Sequence, residues 1–121
     1  MSAKFEITKS ANGEFHFHLK AGNGEIILTS QLYKSKAAAL NGVESVKANA
    51  AHEERYERKE DHAGHPRFNL KAANHEVIGS SQAYHSAESR ERGIAAVKAD
   101  AAKAEVVDET EAVPATSYPR L

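Results

Sequence analysis

None of the 121 residues is cysteine, so neither a disulfide framework nor thiolate chemistry is open to this chain. Charge of one sign is missing too: 16 basic residues face 17 acidic ones, for a formal net charge of −1. That balance offers a polyanion or an anionic membrane no global field to follow, and leaves only local patches to consider. No apolar run approaches the roughly 20 residues of a membrane span. The opening MSAKFEIT lacks a basic stretch followed by an apolar core, so no secretory leader is expected and the cytoplasm is the default location. There is no Gly-x-Ser-x-Gly elbow, no phosphate-binding loop and no dinucleotide fingerprint.

What is present is a repetition. Leu19 to Ser35, LKAGNGEIILTSQLYKS, returns as Leu70 to Ser86, LKAANHEVIGSSQAYHS. The offset of 51 residues holds without a gap from Phe5/Tyr56 to Ala51/Ala102, with roughly 19 of 47 aligned pairs identical. Each copy, about 50 residues, is near the lower limit for burying a sufficient core alone. One domain over residues 1–110 is therefore expected, built of repeats at about 4–54 and 55–108 that share a core. The run 111–121 holds two prolines and no period, and reads as a disordered tail.

Within each copy the pattern is three strands and a helix. Phe5 and Ile7 alternate with Glu6 and Thr8, and Phe15, Phe17 and Leu19 alternate with His16, His18 and Lys20. Asn12-Gly13 and Asn23-Gly24 suit type I′ hairpins, with both central residues at φ > 0. In the second copy the turns are His62–Pro66 and Asn74-His75, and the meander opens at Arg55 to Lys59. Ser35 and Ser86 are placed to cap helices from Lys36 to about Asn49 and its counterpart. The apolar stripes are Leu40, Val43, Val46 and Ala50, then Ile94, Val97 and Ala101. Gly42 and Gly93 inside the helices point to a close approach of helix to sheet. Glu105–Asp108 aligns with Glu54–Glu57, so a strand follows each helix. One sheet layer with both helices on one face satisfies every apolar stripe and leaves the other face polar.

The repeated LKAxNxExIxxSxxYxS, with a following helix that carries Gly-[Ile/Val]-x-x-Val-Lys-Ala, resembles the YegP-like proteins over about residues 4–110. The resemblance implies an α+β fold. Tandem β3-α-β repeats would form a single antiparallel sheet with two helices on one face and the C-terminal strands exchanged between repeats. Single-copy members would reach this form as dimers, and a tandem chain within itself, as a monomer with pseudo-two-fold symmetry. The resemblance implies no activity, no cofactor and no partner.

Two groups of residues are candidates for function. The first is the open face: His16, His18 and Lys20 with Arg67, Asn69 and Lys71. His16 and His18 stand i, i+2 on a strand and could chelate a metal, but no third ligand is fixed nearby, so solvated histidines are the preferred reading. Sheet modules that hold RNA turn aromatics outward to stack bases; here the phenylalanines face inward, and Glu6 and Glu57 dilute any positive field. The second group is retained in both copies at the turns: Glu25, Gln31 and Tyr33 with Glu76, Gln82 and Tyr84. These residues either anchor the strand-to-helix turn or frame two symmetry-related polar pockets. The expectation is a small cytosolic binding protein without catalysis or cofactor. Nucleic-acid binding through the open face, and an enzyme with a shallow Glu/His site, are the alternatives.

Overall fold

Strand formation follows the alternation. In the computed structural model, which describes residues 3–110, the elements are β1 (Lys4–Lys9), β2 (Phe15–Lys20), β3 (Ile26–Thr29) and α1 (Lys36–Asn49), then β4 (Tyr56–Glu60), β5 (Pro66–Lys71), β6 (Val77–Ser80), α2 (Ala87–Asp100) and β7 (Glu105–Asp108). Arg55, expected in a strand, closes a short 3-10 turn at Glu53–Arg55. The strands form one seven-stranded sheet in the order β4-β5-β6-β3-β2-β1-β7. The expected disordered tail lies outside the described residues.

The turns differ in type from the expectation. In the first, Gly13 N–H donates to Ser10 C=O and Ser10 N–H to Glu14 C=O, and of the loop residues Gly13 takes positive φ, at 87°. That is a three-residue loop ending in a left-handed residue rather than a type I′ pair. The same two bonds recur at Ala21–Glu25, Asp61–His65 and Ala72–Glu76, with Gly24, Gly64 and His75 in the left-handed position. Asparagine serves these loops through its side chain: Oδ1 of Asn23 and of Asn74 accepts from the N–H two residues on, at 2.9 and 3.0 Å.

The helices form where expected. Ser35 Oγ accepts from Ala38 N–H, and Ser86 Oγ accepts from Ser89 N–H, each at 3.0 Å. Val43, Val46, Ile94 and Val97 are buried against Phe17, Leu19, Phe68 and Leu70. One phase error stands in α1, where Leu40 is 39% exposed and Ala39 takes the inward place. The reason is the close approach at Gly42. A Cβ there would stand 2.8 Å from Tyr33 Cζ and 3.0 Å from Phe17 Cε2, so the glycine face must turn inward and Leu40 rotates outward. Gly93 repeats the contact: its Cβ would meet Tyr84 Cζ at 2.6 Å. α1 touches β2, β5 and β6 while α2 touches β3 and β5, so each helix packs on strands from both repeats.

The sheet is mixed rather than antiparallel throughout, because β7 runs parallel to β1. Symmetry dictates this. The axis relating the repeats reverses strand direction; β1 and β4 are equivalent, and so are β4 and β7 as segments that follow a helix. Both β1 and β7 therefore run opposite to β4, and pair in parallel. The exchange goes one way: β7 from the second repeat covers β1 of the first, while β4 opens the second meander. Lys36 Nζ holds β7 at 2.6 Å from Asp108 Oδ2, and with the Thr110 donors keeps that carboxyl down at about 2.

The two edges are finished differently. β7 pairs along the outer edge of β1, with Val106 beside Phe5 and Asp108 beside Ile7. The position equivalent to Ile7 on the outer strand β4 is Arg58, whose guanidinium is bidentate to Glu91 at 2.7 and 2.8 Å and 2.8 Å from Glu53. Glu91 stands where the first repeat has Leu40. A charged cluster thus guards the edge that no strand of the described residues covers.

At the axis, β3 meets β6 through one register pair, Thr29 with Ser80. The equivalent inward residues beside that pair are Leu28 and Gly79. A Cβ on Gly79 would lie 2.7 Å from Leu28 Cγ and Cδ2, so one leucine fills the space of two side chains. Leu28→Ala is expected to cost about 2–5 kcal/mol and Gly79→Leu about 1–3 kcal/mol or more, with the double swap Leu28→Gly, Gly79→Leu recovering most of the loss. Urea unfolding of the three variants, each in a single transition, checks this. Replacing Arg58 by Ile together with Glu91 by Leu should make the chain self-associate relative to its parent, as read by light scattering. Ending the chain at Ala104 rather than Thr110, which removes β7, should cost about 2–4 kcal/mol through the loss of the β1–β7 ladder and of the valines beside Phe5 and Glu6.

Candidate functional site

The open face is a hydrogen-bonded lattice built twice. In the first repeat Thr29 Oγ1 on β3 meets His18 Nδ1 on β2 at 3.1 Å, and Glu6 on β1 lies opposite His18. In the second, Ser80 Oγ donates to Asn69 Oδ1 at 2.8 Å and Asn69 Nδ2 donates to Glu57 Oε1 at 3.0 Å. His18 and Asn69 thus hold equivalent places between a hydroxyl and a carboxylate. His16 adds a contact to Thr8 Oγ1 at 3.1 Å and packs edge-on against His18, ring centroids 4.9 Å apart.

Charge on this face is compensated locally. Lys20 and Lys4 lie 2.9 and 3.3 Å from the Glu6 carboxylate, and Lys71 lies 3.3 Å from Glu57. The Lys20 bond, helped by Lys4, holds the Glu6 carboxyl below its ordinary value although burial opposes it; the Asn69 bond and then Lys71 do the same for Glu57. The side chain of Glu6 is 9% exposed against 43% for Glu57, so Lys20 neutralises a shielded charge and Lys71 a solvated one. Arg67 donates to Ser81 C=O at 3.2 Å and sits 3.8 Å from Asp61.

Clefts mark the surface of the described residues, and three of them bear on the candidate residues. One, of about 670 Å³, lies on the open face over β3 and β6, with Ile26, Gln31, Val77, Gln82 and Arg67 in its wall. A second, of about 600 Å³, runs from Arg67, Asn69 and Ser80 to Lys59 and His62. The two share Arg67 and Ser80. The third, of about 470 Å³, lies between the β2–β3 hairpin and α2 and takes in Glu25, Gln82 and Tyr84. Of the expected residues, Arg67, Asn69, Gln31, Gln82, Glu25 and Tyr84 line clefts. His16, His18, Lys20, Lys71, Tyr33 and Glu76 line none of these three.

The turn residues are largely explained by structure. Ser30 Oγ accepts from Phe17 N–H at 2.9 Å and Ser81 Oγ from Phe68 N–H at 2.9 Å, so both complete the ladder. Tyr33 stacks on Phe17 and Tyr84 on Phe68, with centroids 6.2 and 6.3 Å apart. Burial pushes both phenols up, opposed in part by the Gln31 and Gln82 amides. The glutamates act across repeats. Gln82 Nε2 donates to Glu25 Oε2 at 3.0 Å, and the charges of Glu76 and Glu25 bear on Tyr33 and Tyr84 respectively.

Ile26 and Val77 were not legible as surface residues. Each pairs beside a register shift, Lys20 with Ile26 and Lys71 with Val77, and the extra residue turns both onto the open face at 38% and 39% exposure. Among the described residues, no three His, Asp or Glu side chains are grouped to hold a metal. No helix of the described residues is long and apolar enough to cross a membrane.

The family model described as "Domain of unknown function (DUF1508)" matches this chain twice, over residues 10–57 and 61–108. Each match begins near the second strand of a meander and ends in the strand after the helix. The chain is 56% identical over 110 residues to the UPF0339 protein YegP of Escherichia coli K12, which covers 91% of this chain and all of that protein. The solution structure of YegP from Escherichia coli, described as a protein of unknown function, is 55% identical, with a TM-score of 0.86 over 92% of this chain and 96% of that one. A UPF0339 protein from Shewanella oneidensis is 46% identical, with a TM-score of 0.87 over 97% of this chain and the whole of its own.

Two predictions follow from the lattice. Lys20→Ala should cost about 1 kcal/mol and Lys71→Ala no more than about 0.5 kcal/mol, because the first leaves a shielded carboxylate with Lys4 alone at 3.3 Å while the second uncovers a solvated one; thermal unfolding distinguishes them. Burial, and then the neighbouring His16 charge, lower the pKa of His18 below 6.5. The folded chain therefore binds fewer protons than the unfolded one below that pH. This contribution to stability is full above 6.5 and is lost as pH falls below it. His18→Asn, which installs the residue of the second repeat, should flatten the fall in melting temperature between pH 7 and 5.

Proposed function

The chain belongs to the DUF1508 family in its two-repeat form, and on that footing we propose that it is a small non-catalytic binding protein that takes an extended polypeptide segment along the open face. The observation that carries this is the pair of open-face clefts that share Arg67 and Ser80 and so cross the axis as one trough. Its wall alternates side-chain amides, Gln31 and Gln82, with two half-exposed apolar residues, Ile26 and Val77. Amides suit a peptide backbone, the apolar pair suits alternate side chains, and Arg67 suits a carboxylate. General acid–base chemistry wants a carboxyl raised toward neutrality. Among the described residues, the carboxyls whose pKa values move are Glu6, Glu53, Glu57, Asp61, Glu91 and Asp108, and each is lowered by a hydrogen bond or an ion pair. The balance of charge and the lack of cysteine suit a cytosolic protein acting as a monomer.

A displayed random-peptide library panned on the full chain supplies the probe. Enriched peptides should bind the parent chain in fluorescence anisotropy, with modest salt dependence, and lose about tenfold or more in affinity with Arg67→Glu or Ile26→Asp. No enrichment, or peptides indifferent to both folded variants, would sink the reading. Submicromolar binding of single-stranded RNA that falls steeply with salt, lost when Lys20, Arg67 and Lys71 become Ala, would replace it with nucleic-acid binding.

A further inference from the structure

The two ends of the open face differ in charge. Strand register sets Lys4 opposite Lys20 and Lys20 opposite Ile26 at one end, and Lys59 opposite Arg67 at the other. Gln82 stands between them, lining the central cleft with Ile26 and Arg67. Lys4, Lys20, Ile26, Gln82, Arg67 and Lys59 thus form one row across the strands. It runs from β1 over β2, β3, β6 and β5 to β4. At the ordinary spacing of neighbouring strands the row is about 24 Å long, which about seven extended residues span.

At the β1–β2 end the cations are matched. Lys4 and Lys20, directly opposed, close on Glu6 at 3.3 and 2.9 Å, and Lys4 also stands beside Glu105 of β7. At the β4–β5 end they are not. Lys59 and Arg67 are directly opposed, an arrangement that costs stability between like charges. The first repeat has Thr8 and His16 in these places, joined by an uncharged contact of 3.1 Å. Asp61 follows Lys59 by two residues, as Glu6 follows Lys4, but one of its oxygens is drawn to the Ala63 and His65 N–H groups, at 3.0 and 2.9 Å. The other reaches Arg67 at 3.8 Å. Lys59 has no ion pair among the described residues. Its charge bears on Glu57, but Asn69 and then Lys71 hold that carboxylate. Glu60 alternates to the helix side of β4 with Arg58. Lys59 and Arg67 both stand in the wall of the second open-face cleft.

We propose that the partner of the open face is a polypeptide segment acidic at one end, which lays an Asp or Glu side chain between Lys59 and Arg67 and an uncharged remainder over Gln82 and Ile26. This rests on the reading of the trough as a peptide site, and adds the chemistry of the segment and its direction. The molecule already contains the arrangement: Lys4 and Lys20 are held together by Glu6, and at Lys59 and Arg67 the segment supplies the missing carboxylate. The middle of the row discourages a second acid, because Glu25 lies there in the grip of the Gln82 amide at 3.0 Å. That bond leaves the Gln82 carbonyl to accept from a peptide N–H. The matched end at β1–β2 offers an acid no unshared cation.

Panning a displayed random-peptide library on the full chain, and separately on its Lys59→Glu, Arg67→Glu double variant, tests this. The parent should enrich Asp or Glu at a fixed spacing from an apolar residue, and the charge-reversed variant Lys or Arg at that spacing. A synthetic copy of a parent-selected peptide with the acid changed to its amide should bind about tenfold or more weakly. Lys59→Thr, which installs the residue of the first repeat, should remove most of that difference between acid and amide peptides. It should also leave the unfolding midpoint of the free chain equal or higher, because it relieves a like-charge pair and breaks no internal bond. Peptides that bind through Ile26 without preference for an acid would overturn the proposal and leave the trough reading standing. So would an acid preference that survives charge reversal, or a markedly lowered midpoint in Lys59→Thr. If no peptide is enriched by the parent, the trough reading fails and the proposal fails with it.

Discussion

The contact of Leu28 with the space above Gly79 is what lets the two halves become one sheet. β3 and β6 share a single register pair, so the backbone ladder contributes little to the join. Side chains must hold it, and across a two-fold axis the same position faces itself. Two leucines there would clash, since even a Cβ on Gly79 stands 2.7 Å from Leu28, and two glycines would leave a hole. A tandem chain escapes this dilemma because its copies can differ. One large and one absent side chain fill the space, and α1 and α2 then close over strands of both repeats.

The same freedom finishes the edges. Identical halves would need either two covering strands or two guarded edges. Here β7 pairs along the edge of β1 on one side, and on the other Arg58 and Glu91, joined by Glu53, stand where the first repeat has Ile7 and Leu40. Covering works through apolar burial and guarding through charge that another sheet edge could not desolvate. The loss of symmetry at Leu28/Gly79, Ile7/Arg58 and Leu40/Glu91 is therefore part of how one chain becomes a closed unit.

The fold was legible because alternation and the helical stripe are local. The inward set Phe17, Leu19, Phe68 and Leu70, the caps Ser35 and Ser86, and the close approach at Gly42 and Gly93 follow from spacing. What was not legible depends on partners distant in sequence. The parallel direction of β7 follows from symmetry rather than from its four residues. The turn type hides in Asn side-chain bonds that mimic the Asn-Gly signal of another turn. Leu40 is rotated out by Tyr33, which belongs to a different element. At the candidate sites, a bulge that no periodicity announces turns Ile26 and Val77 outward, and Arg92 reaches its cleft only because α2 lies beside the first repeat's hairpin.

Retention between copies therefore points to structure more than to ligand. Ser30/Ser81 complete a ladder, Ser35/Ser86 cap helices, and Tyr33/Tyr84 fill the space over Gly42/Gly93. The clefts, by contrast, take in residues at which the copies differ: Arg67 where the first repeat has His16, Arg92 where it has Asn41. The open-face trough crosses the axis and so occurs once, and its charged end is fixed on one side by Arg67. The helix-side cleft is lined in part by Arg92 and Ser89, where the first repeat has Asn41 and Ala38. A doubled fold of this kind consequently presents single, oriented clefts, and the peptide proposed for the trough should bind at one equivalent per chain rather than two.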